Sequence, residues 1–246
     1  MNKLVDDMDE ALDGIDDGAV IAIGGFFAAG VPRALLQALI KRGTCELTLA
    51  CGAGPLLGAQ DELAQLVANK QIKKVIDSYA LFRSTTKGLA HSFEQQVRAG
   101  SIELEIHPMG TLAEMYRAAA AGIAAFFVPT GSGSVVEQTV LTNLAANRAE
   151  KETRQIGNHT CMLEYPLRPD FAFVHAHVAD QEGNLRYRKT ARNFNQVMAS
   201  AARVTIAEVE DIVATGEIGG DTVHTPGIYV NRVVKVPKLA FAITNL

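Results

Sequence analysis

Asp17-Gly18-Ala19-Val20-Ile21-Ala22-Ile23-Gly24-Gly25-Phe26-Phe27-Ala28-Ala29-Gly30-Val31-Pro32 is the stretch on which the reading of this chain turns. Ala19 to Ile23 is a continuous apolar run, the pattern of a strand buried on both faces of a parallel sheet. Asp16-Asp17-Gly18 punctuates it on one side and Gly24-Gly25 on the other. Pro32 opens a helical pattern through Lys41, and Gly43 lies just past its end, the usual placing of Pro at a helix start and Gly at its stop. Paired glycines at a strand end let a backbone approach a ligand closely, and the amides of the following helix N-terminus are open to an anion. Glycine loops after strands also serve geometry alone, so this unit is not decisive by itself.

The same unit recurs downstream. Leu47 to Ala50 reads as a strand running into Gly52-Ala53-Gly54-Pro55, Glu62 to Asn69 as a helix and Lys74 to Ile76 as a strand. His91 to Ala99 is helical and stops at Gly100; Ile102 to Ile106 is a strand with alternating carboxylates, and Leu112 to Ala121 a helix. Phe126 to Val128 opens another strand, closed by Pro129-Thr130-Gly131-Ser132-Gly133. Val136 to Thr160 is polar and reads as a surface excursion. Further strands are expected at Phe171 to His177, Leu185 to Arg188 and Val204 to Val209, a helix at Asn195 to Ala202, and β-branched structure from Tyr229 to Val236. Upstream, Leu4, Val5, Met8, Leu12 and Ile15 give an amphipathic helix over 4–15. Such alternation specifies an α/β fold: one domain over 1–246, an open, mostly parallel sheet with helices on both faces. Ligands then belong at the carboxyl ends of the strands, where the glycine turns fall.

Bulk properties narrow the function. A formal charge of -4 and dispersed Lys and Arg give no basic stripe, so no nucleic acid is expected. No apolar run reaches the roughly 20 residues a bilayer span requires, so no membrane association is expected. Cys45, Cys51 and Cys161 are sparse and lack a C-x-x-C spacing, which argues against a disulfide scaffold or structural zinc. Residues 1–17 are acidic, without the basic and apolar regions of a leader. The expectation is a cytoplasmic protein.

The order of residues in the opening stretch is more specific than its shape. An Asp-Gly pair, an apolar run, Gly-Gly-Phe, three free positions and Gly-x-Pro resembles the signature of the α subunits of family I coenzyme A-transferases. Ser101 to Ala125 is similar to the family's stretch from Glu-Leu-Glu through Pro-x-Gly-Thr-Leu-Ala-Glu to Ala-Gly-Ile, and Phe126 to Gly133 to its Phe-x-x-Pro-Thr-Gly-x-Gly. Gly183-Asn184-Leu185 and Arg188-Lys189-Thr190-Ala191-Arg192-Asn193-Phe194-Asn195 are close to its Gly-Asn-Leu and Ser-Ala-Arg-Asn-Phe-Asn, with a compatible Thr225-Pro226-Gly227. The blocks stand in family order over nearly the whole chain.

That resemblance implies half an active site. It implies a homologous β subunit whose glutamate attacks an acyl-CoA and then carries CoA as a glutamyl thioester, so no catalytic residue is expected in this chain. It assigns Gly24, Gly25, Phe26, Phe27, Ala28, Ala29 and Gly30 to CoA binding, and Gly52, Met109, Gly110, Gly131, Ser132 and Gly133 to the acyl pocket and oxyanion region. The implied substrates are an acyl-CoA and a carboxylic acid, a 3-oxoacid or related catabolic acid, with coenzyme A as substrate and no cofactor or metal. The sequence departs from the family where Cys51-Gly52 replaces a turn with Asn, and where Met109 replaces Gln. Losing one oxyanion donor typically costs about 3 kcal/mol in the transition state. The alternatives are therefore a subunit of a carbon–carbon hydrolase of the same fold acting on CoA thioesters, or a non-catalytic CoA-binding subunit.

Simpler readings stand beside several residues. His175 and His177 share a strand face but lack a neighbouring ligand in sequence, so a structural role is expected. Cys51 is expected to be a small buried thiol. Glu103 and Glu105 read as a solvated strand face. Arg188, Lys189 and Arg192 form a basic cluster that serves either as solvated surface or as a contact to an acidic ligand.

Overall fold

In the computed structural model, which describes residues 2–79 and 91–237, the apolar run after Gly18 forms β1 (Val20–Ile23) near the middle of a nine-stranded sheet. The other strands are β2 (Leu47–Ala50), β3 (Ile72–Asp77), β4 (Glu103–Ile106), β5 (Phe126–Val128), β6 (Leu141–Thr142), β7 (Thr153–Ile156), β8 (His159–Glu164), β9 (Phe171–Asp180), β10 (Leu185–Arg186), β11 (Val204–Val213) and β12 (Arg232–Lys235). The helices are α1 (Met8–Ala11), α2 (Arg33–Arg42), α3 (Gln60–Ala68), α4 (His91–Ala99), α5 (Met109–Ala120), α6 (Val135–Gln138) and α7 (Asn193–Ala201). The large sheet runs β12-β11-β9-β1-β2-β3-β4-β6, with β10 on β9. Its β12-to-β4 path is parallel, while β6 and β10 are antiparallel additions. Strand order therefore leaves β1 in both directions, which makes the β1/β9 boundary the switch point where open α/β sheets bind ligands.

Alternation along the strands sorts two cores. Ile21, Ile23, Leu47, Leu49, Phe171, Phe173 and Ile206 meet Leu35, Leu36, Leu39, Leu63, Leu66, Phe93 and Val97, carried by α2, α3 and α4. Burying each of the α2 leucines contributes roughly 1.5–3 kcal/mol. The opposite face is built on small residues: Ala22, Ala50, Ala172, Ala176 and Ala207 receive Leu112, Met115 and Tyr116 of α5 and Phe194 and Met198 of α7. Small strand residues let those two helices lie close to the sheet. The α2 stop is as expected, with Gly43 at φ 78° and its N–H on the Leu39 carbonyl.

Two expectations need correction. The helix over 4–15 shrinks to Met8–Ala11, because residues 3–5 pair instead with β12: the Val5 N–H meets the Val233 carbonyl and the Val233 N–H the Lys3 carbonyl. Phe126–Val128 does not join the parallel sheet but forms a separate three-stranded antiparallel sheet, β5-β8-β7. The excursion after Val136 does lie at the surface, with Thr142 its one buried residue, and it carries β6, β7 and the start of β8. Lys151 and Glu164, 2.5 Å apart and both almost fully buried, tie that small sheet together.

Candidate functional site

Four loops meet the carboxyl ends of β1 to β4. Residues 24–30 follow β1: Gly24 N–H donates to the Phe173 carbonyl at 2.9 Å, and Phe26 and Ala29 exchange backbone hydrogen bonds across a tight turn at 2.9 and 2.8 Å. Phe27 N–H reaches the Ala53 carbonyl at 3.1 Å, joining this loop to the one after β2. The Phe27 ring stands edge-on to Phe26 and Tyr79, with centroids 5.0 and 5.3 Å apart. Among the described residues the Ala28 N–H, at the turn's tip, has no hydrogen-bond partner.

Glycine is required here for two different reasons. A Cβ on Gly24 would fall 1.9 Å from Asn195 Oδ1, so the loop lies flat on the Asn195 side chain. Gly25 has φ +115° and its Cβ would crowd Val31, Gly30 and Ala29 at 3.0–3.2 Å. The constraint at Gly25 thus lies within the loop itself. Asn195 is fully buried; its Nδ2 donates to the Gly30 and Ala191 carbonyls at 2.9 and 2.7 Å, and its Oδ1 accepts the His175 N–H at 3.0 Å. The Asn-Phe-Asn motif and the glycine loop, far apart in sequence, are one structure.

The N-terminus of α2 is not open to an external anion at its third residue. Glu208, fully buried on β11, places Oε2 2.9 Å from the Leu35 N–H and so caps a helix that has no side-chain cap and no acidic first turn of its own. Its Oε1 lies 2.8 Å from His175 Nδ1. Glu210 then takes His177 Nδ1 at 2.8 Å and Arg188 Nη2 at 3.2 Å, and stands 3.5 Å from His175 Nε2. Burial pushes the His175 imidazole towards neutrality, but the Glu208 hydrogen bond and the Glu208 and Glu210 charges outweigh it and raise its pKa. The histidine pair is held by carboxylates of the neighbouring strand, which spacing along β9 alone could not reveal. Among the described residues no three His, Cys, Asp or Glu side chains converge on a metal position.

Behind the loops after β2 and β3 lies Asp77. Its Oδ1 accepts the N–H groups of Ser78, Tyr79 and Gly54 at 2.7, 3.3 and 3.4 Å. Burial pushes the carboxyl up to about 6, only partly offset by the hydrogen bonds from Ser78, Tyr79 and Gly54. Gly52 is buried, with its carbonyl accepting the Ser78 hydroxyl. Cys51 is fully buried and its thiol is pushed well up, first by burial and then by Asp77, which leaves it a structural thiol. The Tyr116 hydroxyl closes the floor on the Cys51 carbonyl at 2.9 Å.

Met109 and Gly110 are the first two residues of α5, with two residues between them and the end of β4. Met109 is 42% exposed, so it stands on the rim of the same edge. Beside it His107 Nδ1 and Thr111 Oγ1 are buried without a hydrogen-bond partner among the described residues. Glu103 and Glu105 are not a solvated face: Lys74 approaches both, at 3.5 and 2.5 Å, and His107 Nε2 lies 2.6 Å from Glu105. Burial pushes the Glu105 carboxyl up, but the His107 and Lys74 hydrogen bonds and charges overcome this and bring it down to about 2.

Gly131, Ser132 and Gly133 sit in the turn between β5 and α6, where the hydrogen bonds close locally. Ser134 Oγ donates to the Gly131 carbonyl at 2.6 Å, and the Gly133 N–H and Ser132 Oγ reach Glu137. Their turn is carried by the small sheet, whereas residues 24–30, 52 and 109–110 share the carboxyl edge of the large one. Asn195, Glu208 and Asp77 are the site residues that sequence reasoning did not single out. Asn195 stood inside a quoted motif, and Glu208 broke the apolar pattern of a buried strand, so both carried a readable signal.

A switch-point loop lying on a buried asparagine, with a carboxylate already filling the helix N-terminus behind it, describes an α/β protein whose loop backbone is presented at the sheet's carboxyl edge, where open α/β sheets place ligands. Residues 5–236 match the coenzyme A transferase family, and the chain belongs to it. It is 41% identical over 247 residues to the A-type subunit of a probable succinyl-CoA:3-ketoacid coenzyme A transferase from Mycobacterium bovis, covering 98% of this chain and 96% of that one. It is 40% identical over 237 residues to the A-type subunit of a 3-oxoadipate CoA-transferase from Pseudomonas putida, covering 96% and 94%. Its fold resembles the crystal structure of glutaconate coenzyme A-transferase from Acidaminococcus fermentans with a TM-score of 0.77 at 22% identity, over 96% of this chain and 76% of that one. CoA transfer is the activity class these similarities support; the hydrolase and non-catalytic alternatives are not favoured.

Proposed function

We propose that this chain, over residues 1–246, is the α subunit of a two-subunit transferase that moves CoA between an acyl-CoA and a 3-oxoacid. The observation that carries the site assignment is the Gly24–Gly30 loop at the switch point, pinned from below by Asn195 and open at the Ala28 N–H. In this reading residues 24–30 receive CoA, with Phe27 as an apolar wall. Met109 and Gly110, with Gly52 beneath, border the acyl group, and Gly131, Ser132 and Gly133 reach it from the small sheet.

A β subunit supplies the nucleophile. Its glutamate oxygen attacks the thioester carbon, the C–S bond breaks, and CoA thiolate leaves an acyl–glutamyl anhydride. CoA then attacks the glutamyl carbonyl, releasing the first acid and leaving a glutamyl thioester. The incoming carboxylate reverses both steps, and every proton and electron pair balances without a cofactor. The names of the relatives, each an A-type subunit and each naming an oxo- or ketoacid, support both the partner and the substrate class. Among the described residues no helix is long and apolar enough to cross a membrane, and the free Cys45, Cys51 and Cys161 suit a reducing cytoplasm.

The test is reconstitution with a β subunit, sought first in the adjacent reading frame, supplied with succinyl-CoA and a panel of acids. Thioester exchange that requires a 3-oxoacid supports the assignment. Consumption of the acyl-CoA without any acceptor acid contradicts it.

A further inference from the structure

On the α2 face of β9 and β11, the apolar row Phe171, Phe173 and Ile206 gives way to His175, His177, Glu208 and Glu210, where the sheet passes the start of α2. Two chains of hydrogen bonds leave His175. Its backbone N–H goes through Asn195 to the Gly30 carbonyl, and its ring goes through Glu208 to the Leu35 N–H. Gly30 and Leu35 are the two ends of the segment that turns the glycine loop into α2. Asn195 therefore holds one end of that turn and Glu208 the other, His175 meets Asn195 by its backbone and Glu208 by its ring, and both oxygens of Glu208 are spent on internal partners.

We propose that Glu208 and His175 are positioning residues for the Gly24–Gly30 loop: Glu208 is the built-in anion of the α2 N-terminus, and His175 locks it to β9. An acidic group of the ligand is thereby kept off the helix end and confined to the loop's outer rim. The pair touches no reacting atom and acts through the loop, and this function rests on residues 24–30 receiving CoA.

The experiment reads the loop and the chemistry separately. Amide hydrogen exchange is followed on the full-length chain in complex with its β subunit, alongside steady-state transfer with succinyl-CoA, for Glu208→Gln, His175→Leu and His175→Gln. Gln at 175 can still donate to Glu208, and Leu cannot. Glu208→Gln and His175→Leu are expected to speed exchange over residues 24–36 while leaving β2, β3 and α5 unchanged. Losing a charge-assisted hydrogen bond should raise KM for succinyl-CoA by about tenfold or more, with a smaller fall in kcat. His175→Gln should restore most of both. If Glu208→Gln fails to fold, His175→Leu, which puts an apolar side chain in a buried position, still decides. Unchanged exchange over 24–36, or His175→Gln behaving like His175→Leu, overturns the proposal. Faster exchange with an unchanged KM upholds the loop positioning and removes CoA from residues 24–30.

Discussion

Asp77 shows how one buried group can be read through pH. With its carboxyl pushed from 3.8 to about 6, it binds a proton more tightly folded than unfolded. Below about pH 4 both states hold the proton and stability is unaffected. As pH rises through about 6 the folded state must carry a buried charge, and roughly 3 kcal/mol is lost. Asp77→Asn keeps an acceptor for the Ser78, Tyr79 and Gly54 N–H groups and removes that charge. Calorimetry should therefore find the variant more stable than the parent at pH 7.5, by roughly 5–10 °C in Tm, with the gap closing by pH 4. A gap that does not vary with pH would show that Asp77 is neutral or charged in both states alike. The glycines give a second contrast. Gly24→Ala should unseat Asn195 and lose activity although Ala is small, because its Cβ has no space. Gly25→Val should strain the loop from within at φ +115° and lower Tm as well as turnover. Normal turnover in either variant would mean that the loop is only a turn.

At the scale of elements, what sequence revealed was what period and punctuation encode. The β1 run, the Pro32 and Gly43 limits of α2 and the order of parallel units were legible because burial on both faces and helix-end chemistry are local. The short α1 was not, because Leu4 has the spacing of a helix and is captured by the edge of β12. Nor was β5 placed correctly, since three apolar residues suit a parallel and an antiparallel partner alike. The loop residues of the site were legible through glycines and motif order. The contacts of the residues beneath them were not, because Glu208 meets His175 through the β9–β11 pairing and Leu35 only where α2 packs on that sheet. Tyr116 makes a further cross-element tie, from α5 to the end of β2. Tyr116→Phe removes one buried hydroxyl and leaves the Cys51 carbonyl short of a donor, which should cost about 1–3 kcal/mol. A denaturation midpoint shifted by that amount with an unchanged slope would confirm it; no shift would mean that water replaces the hydroxyl.

At the scale of the molecule, the proposed function has the chain supply a loop, a rim and a floor but assigns it no nucleophile. The carboxylates around its site are committed to internal hydrogen bonds: Glu208 to Leu35 and His175, and Asp77 to three backbone amides. Tyr79 and Met109 leave apolar surface at 37% and 42% exposure on the carboxyl edge, and Ile228 is 82% exposed on the segment after Pro226. A partner that completes the site should bury well over about 1,200 Å² in total. Purified alone, the chain should self-associate or remain unstable at working concentrations, and light scattering before and after addition of the β subunit measures this. The most direct measurement is the rate of CoA exchange between succinyl-CoA and a 3-oxoacid, with this chain alone, with its β subunit alone, and with the two titrated together. The account predicts background rates for each alone and activity that saturates as the two reach a fixed ratio. Exchange at a normal rate by this chain alone would place a catalytic carboxylate within it and contradict the division of the site between two subunits.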